Sequence, residues 1–322
     1  MIYIIAEIGF NHEGDINAAI EMIEAAAQSG ANAVKFQTFK AFDIALPSSQ
    51  HYDIIKNGEM SYEQHSELYL KAKDCGIDFI STPFSPWAVE LLEKLEVHAY
   101  KVASMDCTNK YLLKHIAKTQ KPVFISTGMA SLNEISDTLD YMDKHNSGQI
   151  TLMHCISMYP AKAEHLNLDI IPFLKKLFNI SIGYSDHYPG TMACLAAALV
   201  GSEVIETHFT LDTTTKNGDH FHSADPKSLE KLINDIILLR QMKGNKRMIL
   251  DRPDRQYAND YRRGLYFSKQ LSKGHILSED DFLFCRPASE LSPNHLEYVI
   301  GKILDKDVKE YDIVEDCFIN KQ

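Results

Sequence analysis

Features that would place this chain in a specialised class of protein are missing from its 322 residues. No apolar run approaches the roughly 20 residues that a membrane-spanning helix needs. The opening string MIYIIAEIGFNHEGD has neither the basic start nor the small-residue cleavage site of a signal peptide. The six cysteines lie far apart and form no CxxC pair, so we expect neither disulfides nor a zinc cluster. These absences indicate a soluble protein of the reducing cytoplasm.

Basic charge is also scarce. The chain has 33 Lys and Arg against 44 Asp and Glu, a formal net charge of −11, whereas nucleic-acid surfaces depend on clustered Lys and Arg. The hydrophobic fraction of 45% and the charged fraction of 24% are close to those of ordinary globular proteins. We therefore expect no nucleic-acid and no membrane partner, while basic residues inside a pocket could still bind a small anionic substrate.

Short apolar runs rich in β-branched residues recur between Ile2 and Phe209, and helical patterns separate most of them. Repeated βα units of this kind build parallel sheets. An open doubly wound sheet usually has fewer strands and a GxGxxG turn, which this sequence lacks. We therefore predict a (β/α)8 TIM barrel. Its predicted strands cover residues 2–8, 33–37, 78–81, 100–103, 123–126, 151–155, 180–183 and 203–209.

The helical pattern ends near residue 245, where the string GNKRMILDRPDRQYANDYRR collects charge and proline. From Arg263 onward, patterns of short strands and turns replace it, in a segment too short to hold a large core alone. The sequence predicts a TIM-barrel catalytic domain over residues 1–245, a linker over 246–262, and a small domain over 263–322 that docks against a barrel.

Two histidines, His187 and His208, stand at the C-terminal ends of predicted strands 7 and 8, the end at which TIM barrels place their active sites. A single buried histidine is usually a hydrogen-bonded core residue, but two convergent imidazoles are good ligands for Mn, Fe, Co or Zn. Glu206 and Asp186 could orient the two rings or add an oxygen ligand. This pattern predicts a catalytic metal site with positions open to substrate.

Two lysines, Lys35 and Lys101, stand at the ends of predicted strands 2 and 4. Two ammonium groups among Ser and Thr hydroxyls are typical of a site for a phosphate and a carboxylate. Either lysine could instead form a Schiff base, which needs a desolvated amine of lowered pKa. Glu7, at the end of strand 1, is either an acceptor for Lys35 or a general acid and base. The loop KNGDHFHSADP after strand 8 either closes over a substrate, with Asp219 and His220 at its centre, or is a solvated turn before a helix.

Eight strings, in order along the chain, resemble the N-acetylneuraminate synthase family, which makes sialic acid and related nonulosonic acids such as legionaminic and pseudaminic acid. They are IAEIGFNHEGD, GANAVKFQTF, FISTPFS, YKVAS, KPVFISTGMAS, HCISMYP, IGYSDHYPG, and IETHFTLD with the GDH that follows it. The resemblance covers essentially the whole chain. It implies a TIM barrel followed by an antifreeze-protein-like (SAF) domain, in a domain-swapped homodimer whose small domain covers the active site of the partner.

The resemblance also implies roles for individual residues. The ligands of a divalent metal fall on His187 and His208, with Mn²⁺ favoured and Mg²⁺ or Co²⁺ as alternatives. Arg286 of the string FCRPAS matches an arginine that reaches the sugar bound by the other subunit. The catalytic positions fall on Glu7, Lys35 and Lys101. The residues that match the phosphoenolpyruvate and sugar sites are Gln37, Thr82, Ser104, Asp106, Ser126, Ser157, Tyr159, Ser185 and Asp219.

Two positions depart from the sialic acid form of the family and leave the acceptor sugar open. Asp106 of VASMDC stands where a substrate-contacting glutamate is expected, and Ser157 of HCISMYP replaces an asparagine. The expected reaction joins phosphoenolpyruvate to N-acetylmannosamine or a related N-acetylated sugar and releases phosphate. The alternatives are a legionaminic or pseudaminic acid synthase acting on a 2,4-diacetamido-2,4,6-trideoxyhexose, a Schiff-base pyruvate aldolase, and a non-catalytic sugar-binding or ice-binding protein.

Overall fold

A computed structural model describes residues 2–216, 218–244 and 252–319 of the chain. The chain divides into two compact units, Met1–Lys243 and Gly244–Gln322. Residues 246–251 of the predicted linker lie outside the described residues. The rest of that segment contains a 3-10 turn at Pro253–Tyr257 followed by a short helix at Ala258–Tyr261.

The first unit is a closed barrel of eight parallel strands, each paired with the next along the chain and the last paired with the first. The predicted TIM barrel is thus confirmed, and every strand falls on a predicted run. The largest difference is the seventh strand, which continues to Asp186 instead of ending at residue 183. The strands are β1 (Tyr3–Glu7), β2 (Ala33–Thr38), β3 (Asp78–Pro83), β4 (Tyr100–Val102), β5 (Val123–Ser126), β6 (Ile150–Cys155), β7 (Ser181–Asp186) and β8 (Val204–His208).

Helices surround the barrel, and their amphipathic sequences explain why they lie there: apolar faces pack on the strands and charged faces meet solvent. Helix α7, for example, begins at a capping box in which Ser131 and Glu134 exchange hydrogen bonds. Among the described residues of this unit, no helix is long and apolar enough to cross a bilayer. The helices are α1 (Ile16–Gln28), α2 (Ala41–Ile44), α3 (Tyr52–Asn57), α4 (Tyr62–Asp74), α5 (Pro86–Lys94), α6 (Lys110–Ala117), α7 (Leu132–Lys144), α8 (Ile170–Phe178), α9 (Met192–Val200) and α10 (Pro226–Lys243).

The strands bury both of their faces. Residues such as Ile4 and Ala6 point outward into the core between strands and helices. The alternate positions point into the barrel, where a separate apolar layer is formed by Ile5, Ala33, Ile80, Met153 and Val204. Because side chains on a strand alternate, the residues two positions further along face the same interior one layer higher. Those residues are Glu7, Lys35, Thr82, Cys155 and Glu206, so the apolar layer forms the floor below a polar one.

Close packing inside the barrel requires a glycine on β7. A Cβ atom added to Gly183 would lie 2.3 Å from Sδ of Met153 on the neighbouring strand. The large Met153 side chain therefore fills the apolar layer only because its neighbour has no side chain.

The second unit has a small core of its own and includes α11 (Ala258–Tyr261) and α12 (Leu296–Val299). Its two strands, β9 (Gly264–Phe267) and β10 (Phe282–Cys285), pair antiparallel. Asp281 lies directly before β10, with its side chain 1% exposed, and its carboxylate pairs with Lys269 and His275 at 2.8 Å each. A buried carboxylate therefore ties together the turns around this hairpin.

Candidate active site

A cavity of about 490 Å³ opens at the C-terminal ends of the barrel strands. Neighbouring parallel strands end at a similar level, so the polar residue that ends each strand meets the others there. The sequence-predicted residues that line this cavity are Glu7, Lys35, Gln37, Thr82, Lys101, Ser104, Ser126, Ser157, Tyr159, Ser185, His187, His208 and Asp219.

Two lysines and two glutamates, Glu7, Lys35, Lys101 and Glu206, form a group that we call the charged quartet. Nζ of Lys35 lies 2.8 Å from Oε2 of Glu7 and 3.6 Å from Oε1 of Glu206. Nζ of Lys101 lies 3.3 Å from the same Glu206 oxygen, and both side chains are at most 6% exposed. Burying an isolated charge costs too much free energy, but the net charge of two lysines and two glutamates is zero, and each charge has an opposite partner. The quartet therefore keeps two ammonium groups inside the barrel.

Hydroxyl and amide groups of adjacent strands hold the quartet in place. Nζ of Lys35 donates to Oγ1 of Thr82 at 3.2 Å, and the amide of Gln37 donates to Glu7 at 3.2 Å. The hydroxyl of Ser185 donates to Oε1 of Glu206 at 3.2 Å. These three side chains orient the charged groups.

The four charged groups differ in how readily they change protonation. Burial raises the pKa of Glu7, although Lys35 opposes the shift. Burial lowers the pKa of Lys101 in spite of Glu206. Burial also disfavours the charges of Lys35 and Glu206, but their opposite partners outweigh it, so the pKa of Lys35 is raised and that of Glu206 is lowered. Glu7 is therefore the carboxylate in the quartet most ready to accept a proton.

The two predicted metal ligands lie side by side beside the quartet. The ring centroids of His187 and His208 are 5.3 Å apart. Nδ1 of His187 lies 2.8 Å from the carbonyl oxygen of Ile156, which can only accept, so Nδ1 carries the proton and Nε2 is free to bind a ligand. Burial holds the pKa of His208 well below its usual range, so its ring is in the neutral form that binds metals.

His208 and two groups next to it offer ligand atoms for a divalent ion. His208, Asp219 and His222 each supply one atom, and these atoms lie within 4.8 Å of one another. Nδ1 of His208 and both ring nitrogens of His222 are buried with no hydrogen-bond partner among the described residues. Buried polar atoms nearly always have a partner, so the orphaned nitrogens fit an ion at this position. His187 does not belong to this group of three, although its ring borders it.

The expected roles of Asp186 and Glu206 beside the histidines are corrected by the structure. The carboxylate of Asp186 accepts from the hydroxyl of Tyr184 and the backbone N–H of Tyr188, both at 2.8 Å. Glu206 belongs to the charged quartet instead. A backbone carbonyl orients the His187 ring, so the predicted carboxylate partner is not needed there.

The mouth of the cavity is more apolar than the strand-end residues suggested. The ring of Tyr159 lies against that of His187, with 4.1 Å between centroids. Further apolar side chains come from loops and from α2 and α3, which sequence patterns did not connect to the site. These are Phe10, Ile44, Ile55, Phe84, Met105 and Met129.

Two predicted sugar contacts, Asp106 and Arg286, pair with other groups in the structure. The cavity wall formed by the described residues contains Met105 and not Asp106, whose carboxylate is buried and accepts from the side chain of Asn109 at 2.8 Å. Its expected contact with the sugar stays a prediction. Arg286 lies in the second unit, where its guanidinium stands over the ring of Tyr261 at 5.1 Å from the centroid.

Comparisons with known proteins identify the family of the chain. The NeuB family model matches residues 22–248, and the SAF domain model matches residues 262–314. The chain is 37% identical to the N,N'-diacetyllegionaminic acid synthase of Campylobacter jejuni, over 97% of this chain and 98% of that protein. It is 32% identical to a pseudaminic acid synthase of the same species, over 96% and 94% of the two chains.

Solved structures give the same result. The N-acetylneuraminic acid synthetase of Leptospira borgpetersenii superimposes with a TM-score of 0.76 at 34% identity, covering 79% of this chain and 89% of that one. The family model spans most of the barrel, and the relatives align along nearly the full length of the chain. The chain therefore belongs to the NeuB family and carries a SAF domain at its C-terminal end.

Proposed function

We propose that this protein condenses phosphoenolpyruvate with an N-acetylated amino sugar to form a nonulosonic acid. C3 of phosphoenolpyruvate forms a bond to the aldehyde carbon of the open-chain sugar, and water adds at C2. The bond between C2 and the oxygen of the phosphate group then breaks, which leaves a keto acid and inorganic phosphate. The observation that carries the proposal is the cavity itself, which places two buried ammonium groups beside a cluster of imidazoles.

The charged quartet gives phosphoenolpyruvate a binding site. The phosphate and carboxylate of phosphoenolpyruvate are anions. In the free protein, Lys35 and Lys101 pair with two other anions, the carboxylates of Glu7 and Glu206. Bound substrate would take over part of these contacts among side chains that are at most 6% exposed, where such contacts are strong. The hydroxyl of Thr82 accepts from Lys35 and keeps its own O–H for a hydrogen bond to the substrate.

Glu7 is the proposed general acid and base. Its Oε2 contacts Lys35, its side chain lines the cavity, and burial raises its pKa, which makes it a better proton acceptor than an ordinary carboxylate. It would accept a proton from the water that adds at C2 and return it to the intermediate from which phosphate leaves.

The orphaned imidazole nitrogens support a divalent metal held by His187 and His208, and we propose Mn²⁺ with Mg²⁺ or Co²⁺ as alternatives. When bound there, such an ion would polarise the aldehyde oxygen as a Lewis acid. The serine hydroxyls of the cavity and Asp219 would orient the sugar.

The apolar mouth favours a deoxygenated acceptor. A 2,4-diacetamido-2,4,6-trideoxyhexose carries three methyl groups, and the apolar residues around Phe10, Met105 and Met129 offer contacts for methyls. N-acetylmannosamine has one methyl group and a polar C6 hydroxyl instead. The likeness to a legionaminic acid synthase supports the same choice, and we propose the trideoxyhexose as the preferred acceptor.

We further propose a domain-swapped homodimer in the cytoplasm, in which Arg286 reaches the sugar bound by the other subunit. In support, no carboxylate of the described residues lies within ion-pair distance of the Arg286 guanidinium, and the face of Tyr261 orients it. A guanidinium held in this way keeps its donors for hydroxyl and carbonyl oxygens.

Mass spectrometry of the product tests the reaction and the acceptor together. With Mn²⁺, phosphoenolpyruvate and both sugars in equal amounts, we expect phosphate release and a dominant product from the trideoxyhexose. His208→Ala and chelator-treated enzyme should lose turnover and keep the fold. Equal turnover in all three preparations would contradict the metal assignment, and a borohydride-trapped adduct on Lys101, whose pKa burial lowers, would indicate a Schiff-base aldolase instead.

A further inference from the structure

His222 is a buried histidine without a hydrogen-bond partner in the described part of the chain. It lies in the short 3-10 turn His220–His222 that follows β8. Its side chain is 0% exposed, and neither Nδ1 nor Nε2 has a partner among the described residues. A neutral imidazole has one nitrogen that donates and one that accepts or binds a metal, and in a protonated ring both nitrogens donate. Two orphaned nitrogens on one buried ring therefore indicate a ligand that the protein atoms do not supply.

The neighbours of this ring identify the ligand. Its centroid lies 4.9 Å from that of His208 and 6.3 Å from that of His187. The carboxylate of Asp219 stands between two of these rings, with Oδ1 3.9 Å from Nε2 of His222 and Oδ2 3.7 Å from Nδ1 of His208. Neither distance is a hydrogen bond. The donor atoms of His208, His222 and Asp219 thus converge without bonding to each other, and the His187 ring borders them. Imidazoles and a carboxylate are a typical donor set for a divalent transition metal.

We infer that His222 is a further ligand of the divalent ion, so that this chain binds the ion through His187, His208, His222 and Asp219. The inference rests on the metal site of the proposed function and extends it. Two donors bound to one ion at about 2.1 Å each lie at most about 4.2 Å apart. The ligand atoms of His208, Asp219 and His222 lie within 4.8 Å of one another, so a small closure of the three side chains suffices.

The additional ligands change how the ion is held. A site with two protein nitrogens depends on substrate and water for most of its coordination, whereas four protein ligands hold an ion before any substrate arrives. Two positions of an octahedral ion would remain open for the sugar. The protein should therefore bind Mn²⁺ tightly in the absence of both substrates.

The His222 ring also has a packing role, which the test must separate from metal binding. It stands edge-on to Tyr159 at 6.0 Å and to Phe221 at 4.8 Å. His222→Phe keeps an aromatic ring in this place and removes both nitrogens. His220→Gln is the matched control, because His220 lies two residues away in the same turn and its Nδ1 is bonded to the hydroxyl of Thr210 at 2.6 Å.

The experiment titrates metal-free full-length protein with Mn²⁺ and measures the free ion by its EPR signal, without substrate. We expect one ion per chain, binding that is weaker by about tenfold or more in His222→Phe, and binding within about twofold of the original in His220→Gln. Unchanged affinity in His222→Phe would overturn the inference.

A second measurement on the unmodified protein guards against a variant that does not fold. Pulsed EPR of the bound Mn²⁺ should detect couplings to three histidine nitrogens, and couplings to only two would refute the role of His222. The product assay is independent of this result. If product forms but only two histidine nitrogens couple to the ion, the role of His222 is refuted and the proposed function stands. If three nitrogens couple but no product forms, the role of His222 stands and the proposed function is refuted.

Discussion

At the scale of single residues, Glu206 is the acidic group on which both buried lysines depend. It accepts from Lys101 at 3.3 Å and lies 3.6 Å from Lys35. Glu206→Gln should therefore destabilise the barrel by about 3 kcal/mol, because it leaves two buried ammonium groups with one carboxylate. Inorganic phosphate should restore part of this loss by supplying the missing negative charge. Urea unfolding followed by fluorescence of Trp87, the single tryptophan, measures both effects.

Glu203, three residues before Glu206, provides a control for this variant. Glu203 directly precedes β8, is about half exposed, and pairs with Lys175 on the surface. Glu203→Gln should cost less than about 1 kcal/mol and should not respond to phosphate. Equal losses in the two variants, or no rescue of Glu206→Gln by phosphate, would contradict the charge balance described here.

The sequence predicted most of the residues in the site and offered Lys35 as a partner of Glu7, but it did not predict the partners of Glu206. Strand alternation is local, so it located Glu7, Lys35 and Lys101 at strand ends that the cavity joins. The pairing of Glu206 with lysines of two other strands depends on barrel closure, which no local pattern contains. His222 was not assigned a role because its turn shows neither helical nor strand periodicity. The string HFH was nevertheless a signal, because it places two imidazoles, His220 and His222, close together in one short turn.

At the scale of structural elements, the hairpin of β9 and β10 depends on Asp281. Burial disfavours its charge, but Lys269, the backbone N–H of Ser278 and His275 outweigh this and hold the pKa of Asp281 well below its usual range. Asp281→Asn should thus destabilise the second unit by about 2 kcal/mol at pH 7. Hydrogen exchange of peptides covering 264–285 should accelerate by roughly tenfold or more, while barrel peptides are unchanged.

The pH dependence of this effect has a defined sign. A carboxylate with a lowered pKa stabilises the folded state fully above its unfolded pKa of about 3.9, and this contribution is lost as the pH falls toward the folded value. The difference between the protein and Asp281→Asn should therefore be constant from pH 7 to pH 5 and shrink below pH 4. Asp280→Asn, an exposed neighbour in the same turn, should show no such difference at any pH.

Some elements were beyond sequence reasoning for physical reasons. Pro172 interrupts the helical pattern of α8, yet proline is tolerated in the first turn of a helix, where its missing N–H has no partner to lose. Helices α2 and α3 are too short to show a period. The barrel strands were predicted well because both faces are buried, so each appears as an apolar run.

At the scale of the whole molecule, mixing two inactive variants tests the proposed swapped dimer. In a mixed dimer of Arg286→Ala and Glu7→Ala chains, one of the two shared sites receives an intact Glu7 and an intact Arg286. Random mixing should thus recover about a quarter of the original activity. Glu7→Ala mixed with His208→Ala, both in the barrel, should recover none. Failure of the first mixture, with mixed dimers confirmed by native mass spectrometry, would contradict the shared site.

The charged quartet gives the binding of phosphoenolpyruvate the character of ion exchange. Glu7 and Glu206 already neutralise the two lysines, and these side chains are at most 6% exposed. The anionic groups of the substrate therefore replace the two carboxylates as partners of the lysines and do not neutralise unpaired positive charge. The affinity is then a difference between two sets of anion contacts. An inhibitor gains little from negative charge alone, and it must match the lysines in shape better than the protein's own carboxylates do.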